Sequence, residues 1–207
     1  MQGGSVSTGG KVASVTITLT RPVAAGDLLA GWFGQYDSSG LVQVSDNVNG
    51  PWTRGPASTT FSSGAGDLAL SYLQNSAAAP AGLVITISAA NATYLQAALG
   101  DYSGVATTGA LDVAFASNGN STTVDSGPTM PAGAGELVIG GIITGGSPGS
   151  VTPGTTQGQP FTMRTQNSSG SSDLEDVLAS TAGTQDARAT FATATDWYAM
   201  VAVFHGA

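Results

Sequence analysis

The chain has 207 residues, 41% of them apolar, yet only 9% are charged where a soluble domain usually carries ~25%, and glycine fills 30 positions. Five Lys and Arg against 13 Asp and Glu leave a net charge of −8, which lacks the clustered cations that a nucleic-acid backbone or an anionic membrane surface demands. Cysteine is absent, so disulfides and thiolate metal sites are excluded, and no apolar run reaches the ~18 residues of a membrane helix.

The start, Met1-Gln2-Gly3-Gly4-Ser5, has neither a cationic nor an apolar leader region, so no signal peptide is expected. Met1 is either a natural start or an addition to an excised segment. Helical periodicity is weak, because Gly or Thr interrupts each candidate stripe. Strand signals recur instead. From Ala13 to Leu19, Ala13, Val15, Ile17 and Leu19 alternate with Ser and Thr, the period of a half-buried strand. Leu28 to Phe33 is apolar on both faces and reads as a central strand. Val42-Gln43-Val44 and Trp52-Thr53-Arg54 flank Asn49-Gly50-Pro51, a hairpin signal. Leu83, Ile85 and Ile87 alternate again, and Leu137 to Ile143 and Trp197 to Phe204 are further two-faced apolar strands. Breaks are expected at Ser38-Ser39-Gly40, Ser63 to Gly66, Thr107-Thr108-Gly109 and Ser117 to Asn120, with a loop from Gly145 to Gly158.

A weak repeat organises these elements. Pro22-Val23-Ala24-Ala25-Gly26-Asp27-Leu28-Leu29 is similar to Pro131-Ala132-Gly133-Ala134-Gly135-Glu136-Leu137-Val138, and Asp67-Leu68 is matched with Asp173-Leu174. The reading is an all-β, antiparallel two-sheet β-sandwich, jelly-roll-like, built from two similar halves at about 11–105 and 115–207. A half with so little apolar bulk would bury a thin core, so one domain over 1–207 is expected, with two packed small sandwiches as the alternative.

Gly26-Asp27-Leu28-Leu29, Val44-Ser45-Asp46, Trp52-Thr53, Asp101-Tyr102-Ser103-Gly104-Val105, Leu111-Asp112-Val113, Gly135-Glu136-Leu137-Val138 and the closing Val203-Phe204 carry a family likeness. In this order they resemble a Gly/Ala/Thr-rich β-sandwich module of bacterial secreted or surface proteins and of phage tail and virion-associated proteins. The resemblance implies a structural or recognition module displayed on a virion or cell surface. It brings no catalytic residues with it.

The residues themselves point the same way. His205 is the single histidine, two residues from the end, and no Gly-x-Ser-x-Gly elbow accompanies it, so no hydrolase triad and no enzyme is expected. With one His and no Cys, a tetrahedral zinc site of nitrogen and sulfur donors is excluded, and no cofactor is expected, a Ca²⁺ site of acids and loop carbonyls staying open without a motif to support it. Asp46-Asn47-Val48-Asn49-Gly50 has a superficial Ca²⁺-loop look but puts Val48 where an oxygen belongs, so it is read as a turn. Asp173 and Glu175 share a strand face while Asp176 points away; they are read as solvated strand-end acids, with a glycosidase as the less favoured alternative. Sugar rings stack on exposed aromatic faces, and Trp52 and Tyr36, beside turns, are the ligand-binding candidates for a glycan. In the last strand Tyr198 and Met200 lie opposite the Trp197 face. That second face needs cover from loops or from another subunit, so they are the interface candidates for a protein partner or a homo-oligomer.

Overall fold

The computed structural model describes residues 1–61, 64–130 and 132–207; the turn start read at Ser63 and the Pro131 of the repeat lie outside the described residues. The described residues form strands and no helix. In chain order the first half holds β1 (Gln2–Ser7), β2 (Val12–Leu19), β3 (Leu28–Gln35), β4 (Gln43–Asp46), β5 (Gly50–Pro51), β6 (Thr53–Thr59), β7 (Asp67–Leu73), β8 (Leu83–Thr93) and β9 (Leu95–Tyr102). The second holds β10 (Leu111–Asp125), β11 (Leu137–Thr144), β12 (Val151–Pro153), β13 (Thr155–Thr156), β14 (Gln159–Pro160), β15 (Thr162–Gln166), β16 (Ser172–Leu178) and β17 (Arg188–Phe204). The fold class is all-β and antiparallel, as the periodicity predicts.

Two sheets of similar order face each other. One runs β1-β9-β3-β7-β6 and the other β10-β17-β11-β16-β15. Between them lies a core shared by both halves, with Leu28, Ala30 and Trp32 on one side and Ile139, Ile143, Met200 and Phe204 on the other. Strands β3, β9 and β11 are buried at every position, because each central sheet is covered on its far face as well. The first half supplies that cover as the sheet β2-β8-β4-β5, whose Ile85 and Ile87 pack on Leu29, Phe33 and Leu99. In the second half the long strands do it themselves. β17 pairs first with the end of β10 and with β12, and Ala189 and Phe191 from that stretch pack against Ile142, Trp197 and Ala199. The molecule is thus a stack, with two central sheets and an outer layer on each side.

Trp32 marks the centre of the stack. It pairs with Leu70 across β7, and Gly141 pairs with Leu174 across β16 in the matching place of the second half. These two matching positions meet each other: a Cβ on Gly141 would stand 2.5 Å from Trp32 Cβ. One indole fills the space that two side chains would contest, and its Nε1 donates to the Tyr198 carbonyl at 3.1 Å.

Several expectations change. Ser117 to Asn120 is no break; it runs inside β10, and Gly119 is small because the Trp197 indole lies over it, 2.5 Å from where a Cβ would be. The Gly145–Gly158 loop contains β12 and β13. Ala13 is exposed, since a register shift between Val12 and Ser14 interrupts the alternation there. The hairpin at Asn49-Gly50 closes through Asp46↔Gly50, but the chain then leaves that sheet at Trp52, and β6 joins β7 in the central sheet. The repeat also slips by two residues: Leu70 and Leu174 are the matched pair, so Ala69 and Ser71 correspond to Asp173 and Glu175.

Candidate functional site

The shared core is open at both ends of the central sheets. At one end, where β3 leaves its sheet and β9 and β17 enter theirs, lies a groove of ≈ 370 Å³ floored by Phe61, Gln96 and Tyr198 and flanked by Tyr36 and Tyr94. A smaller hollow of ≈ 170 Å³ continues it past Ser7, Gln96, Thr144 and Gly145 toward Ser169 and Ser171.

Local structure fixes the aromatic wall. The Tyr36 N–H donates to the Tyr94 carbonyl at 3.0 Å, and the Thr93 hydroxyl donates to the Tyr36 carbonyl, so the two tyrosines are tied at the backbone. Their rings stand 6.5 Å apart at 60°, Tyr36 meets Phe61 edge-on at 5.0 Å, and Phe61 meets Tyr198 at 4.7 Å. Such tilted and edge-on contacts are favoured by the ring quadrupoles and hold the faces in place. Tyr94 is 41% exposed and presents its ring to solvent, while Tyr36 is half-buried. Polar groups line the floor. Gln96 Nε2 donates to the carbonyls of Thr144 and Ser171 at 3.0 and 3.2 Å, and Asn120 Nδ2 donates to Asp196 Oδ1 at 2.7 Å. The arrangement offers ring faces, a carboxylate, and the hydroxyls of Ser7 and Thr8 along one wall.

At the opposite end a second groove of ≈ 370 Å³ is lined by Tyr102, Leu137, Arg164 and Asp176. Arg164 Nε and Nη2 donate to Asp176 Oδ1 at 2.8 and 2.7 Å, and that bond raises the arginine pKa further. Burial together with the nearby Asp176 carboxylate pushes the Tyr102 hydroxyl pKa well above 10.

Of the residues singled out in the sequence, Tyr36 lies in the aromatic groove. Trp52 does not. It is only 8% exposed, its Nε1 donates to Asp46 Oδ2 at 2.8 Å, and its ring meets Phe33 edge-on at 5.8 Å, so no face is left for a ligand. Asp46 closes the turn beside it by accepting the N–H groups of Val48 and Asn49. Tyr198 and Met200 are 2% and 0% exposed. They pack between the two halves of one chain rather than between subunits, because the first half supplies the cover that face needs. The groove residues that sequence reasoning missed are Phe61, Gln96 and Asp196 as lining groups. Phe61 follows β6, Gln96 lies on β9 and Asp196 on β17, so they are distant in the chain, and Asp196 reaches the groove from the second half.

The acids on β16 are the largest departure. Asp173 and Glu175 are each 1% exposed, not solvated. Among the described residues no donor reaches either carboxylate with good hydrogen-bond geometry, the Gln166 side chain being the nearest influence on Asp173. Burial pushes Glu175 up to about 8, helped by the charges of Asp173 and Asp176, and pushes Asp173 up to about 7, with Gln166 opposing. They lie on the outer face of β16, and a Cβ on Gly140 would stand 2.8 Å from both Glu175 Cγ and Ala187 Cβ. Neither acid lines the two grooves.

No family model matches the chain, and no curated protein matches it. Among solved structures, a conserved protein of unknown function, PA5104 from Pseudomonas aeruginosa PAO1, is similar over 94% of this chain and 81% of its own, with 12% identity and a TM-score of 0.33.

Proposed function

We propose that the protein is a non-enzymatic recognition module whose groove between Tyr36 and Tyr94 binds a saccharide chain. The observation that carries this reading is the pairing of a solvent-facing tyrosine ring with a polar floor in one open groove. A pyranose has an apolar C–H face and a rim of hydroxyls, and it matches a ring face flanked by carboxylate, amide and hydroxyl groups. The ≈ 370 Å³ groove suits one or two sugar units, and the adjoining hollow gives a chain a direction to continue. The tyrosines are tied to each other before any ligand arrives, which lowers the ordering cost of binding.

A non-enzymatic reading is supported by the position of Asp173 and Glu175, which line neither groove. The module resemblance adds the setting, an external assembly such as a phage virion or a cell surface. The test is a polysaccharide pull-down and glycan array with the wild type, Tyr94→Ala and Trp52→Phe. The reading predicts binding that is weakened in the first variant and unchanged in the second. Retention of a polysaccharide to the same extent by Tyr94→Ala, or binding to none of the arrayed glycans, would overturn it.

A further inference from the structure

A different corner of the second half brings together the single imidazole of the chain and two carboxylates. In the central sheet β10, β17 and β11 are neighbours, and Leu111, Phe204 and Leu137 form one row across them. The residues flanking that row are Asp112, His205 and Glu136. Asp112 falls in the register shift between Leu111 and Val113, where a bulge re-aims a side chain. His205 is held by its backbone, its N–H donating to the Ala110 carbonyl at 2.8 Å and its carbonyl accepting from Ala106 at 2.9 Å. One donor atom from each of the three side chains lies within 4.8 Å of the others.

We propose that Asp112, Glu136 and His205 bind a divalent first-row transition ion, with Zn²⁺ as the probe. The sequence excluded a site of nitrogen and sulfur donors; it did not exclude one nitrogen with two carboxylate oxygens, a donor set that Zn²⁺ accepts. Donor atoms around one tetrahedral Zn²⁺ stand about 3.3 Å apart. His205 Nδ1 is hydrogen-bonded to Glu136 Oε1 at 2.5 Å and Nε2 stands 3.8 Å from Asp112 Oδ1, so the two carboxylates face different ring nitrogens; an ion on Nδ1 would replace the shared proton and keep Glu136, and Asp112 would have to rotate past the ring edge to join it. Glu136 is also oriented from behind, because its Oε2 accepts the Gly133 N–H at 2.5 Å. The His205 and Asp112 side chains are 46% and 29% exposed, which leaves the outer side open for water to complete the coordination.

The first half separates scaffold from site. There Asp27 occupies the Glu136 position and accepts the Ala24 N–H at 2.9 Å in the same kind of turn. The residue after Tyr102, in the place of His205, is Ser103. The turn-closing carboxylate is therefore common to both halves, while the imidazole belongs to the second alone.

Because His205 is the only histidine, its ring C–H resonances report on the site without assignment. Titration with ZnCl₂ is expected to shift them saturably at one equivalent with a micromolar dissociation constant. Asp112→Asn is expected to weaken binding tenfold or more, and His205→Gln to abolish a Zn²⁺-induced rise in the thermal midpoint. Glu136→Gln also opens a turn, so Asp112→Asn is the discriminating variant. A shift that appears only at millimolar Zn²⁺, or one that Asp112→Asn leaves unchanged, marks a lone surface imidazole and overturns the proposal.

Discussion

The two halves share a strand order in their central sheets and differ in what they bury behind them. Behind β7 the first half places Ala69, Ser71 and Leu73; behind β16 the second places Asp173, Glu175 and Val177. The first half closes this space with the four-stranded sheet β2-β8-β4-β5 and an aliphatic core. The second closes it with folded-over ends of β10 and β17 and with short strands, and it carries two carboxyl groups into the interior. The same central frame thus tolerates very different outer layers, because the shared core around Trp32 stabilises both. The two proposed sites are distributed in the same uneven way, with the groove at the junction and the imidazole on the second half.

The sharpest way to break that comparison is at its centre. Trp32→Ala leaves a cavity facing Gly141 and is expected to cost about 3–5 kcal/mol in chemical denaturation, unfolding both halves together. Separate transitions for the halves would show that the shared core does not couple them. The next test copies the first half into the second. Asp173→Ala with Glu175→Ser installs the Ala69 and Ser71 pair behind β16. In the wild type both acids bind protons more tightly folded than unfolded, where carboxyls titrate near about 4. Their stabilising protonation is complete below that pH and is lost as pH rises through about 7 for Asp173 and about 8 for Glu175. Stability measured from pH 4 to pH 9 is therefore expected to fall in the wild type. In the double variant it is expected to flatten, leaving the variant at least about 2 kcal/mol more stable at pH 9. An unchanged pH profile would place both carboxyls in water.

Smaller effects sharpen the functional side. Asp46→Ala removes an acceptor shared by two turn N–H groups and by Trp52, and should cost about 1–2 kcal/mol while leaving glycan binding alone. Tyr94→Ala should cost little stability, given its exposure, and lower saccharide affinity about three- to tenfold.

Much of the fold was legible in the chain because strands covered on both faces must be apolar throughout. Leu28 to Phe33, Leu137 to Ile143 and Trp197 to Phe204 carry that mark, and they are central strands. The Asp27 and Glu136 turns were legible because both carboxylates close the same backbone bend. Burial that depends on distant partners was not. Glu175 reads as a solvated acid until Gly140 and Ala187 are placed around it, and Gly119 reads as a turn until Trp197 is laid over it. Trp52 looked exposed beside its turn, yet the indole N–H finds Asp46 and turns inward. Of the groove, Tyr36 was visible from its neighbouring turn, whereas Phe61 and Gln96 meet it through long-range contacts within the first half and Asp196 through the packing of the second sheet.

Ring resonances followed by NMR during titration with an oligosaccharide taken from the glycan array test the central claim most directly. Tyr36 and Tyr94 are expected to shift together, saturably, while Trp52 stays still. Shifts confined to residues outside this wall, with both tyrosines unmoved at saturation, would contradict it.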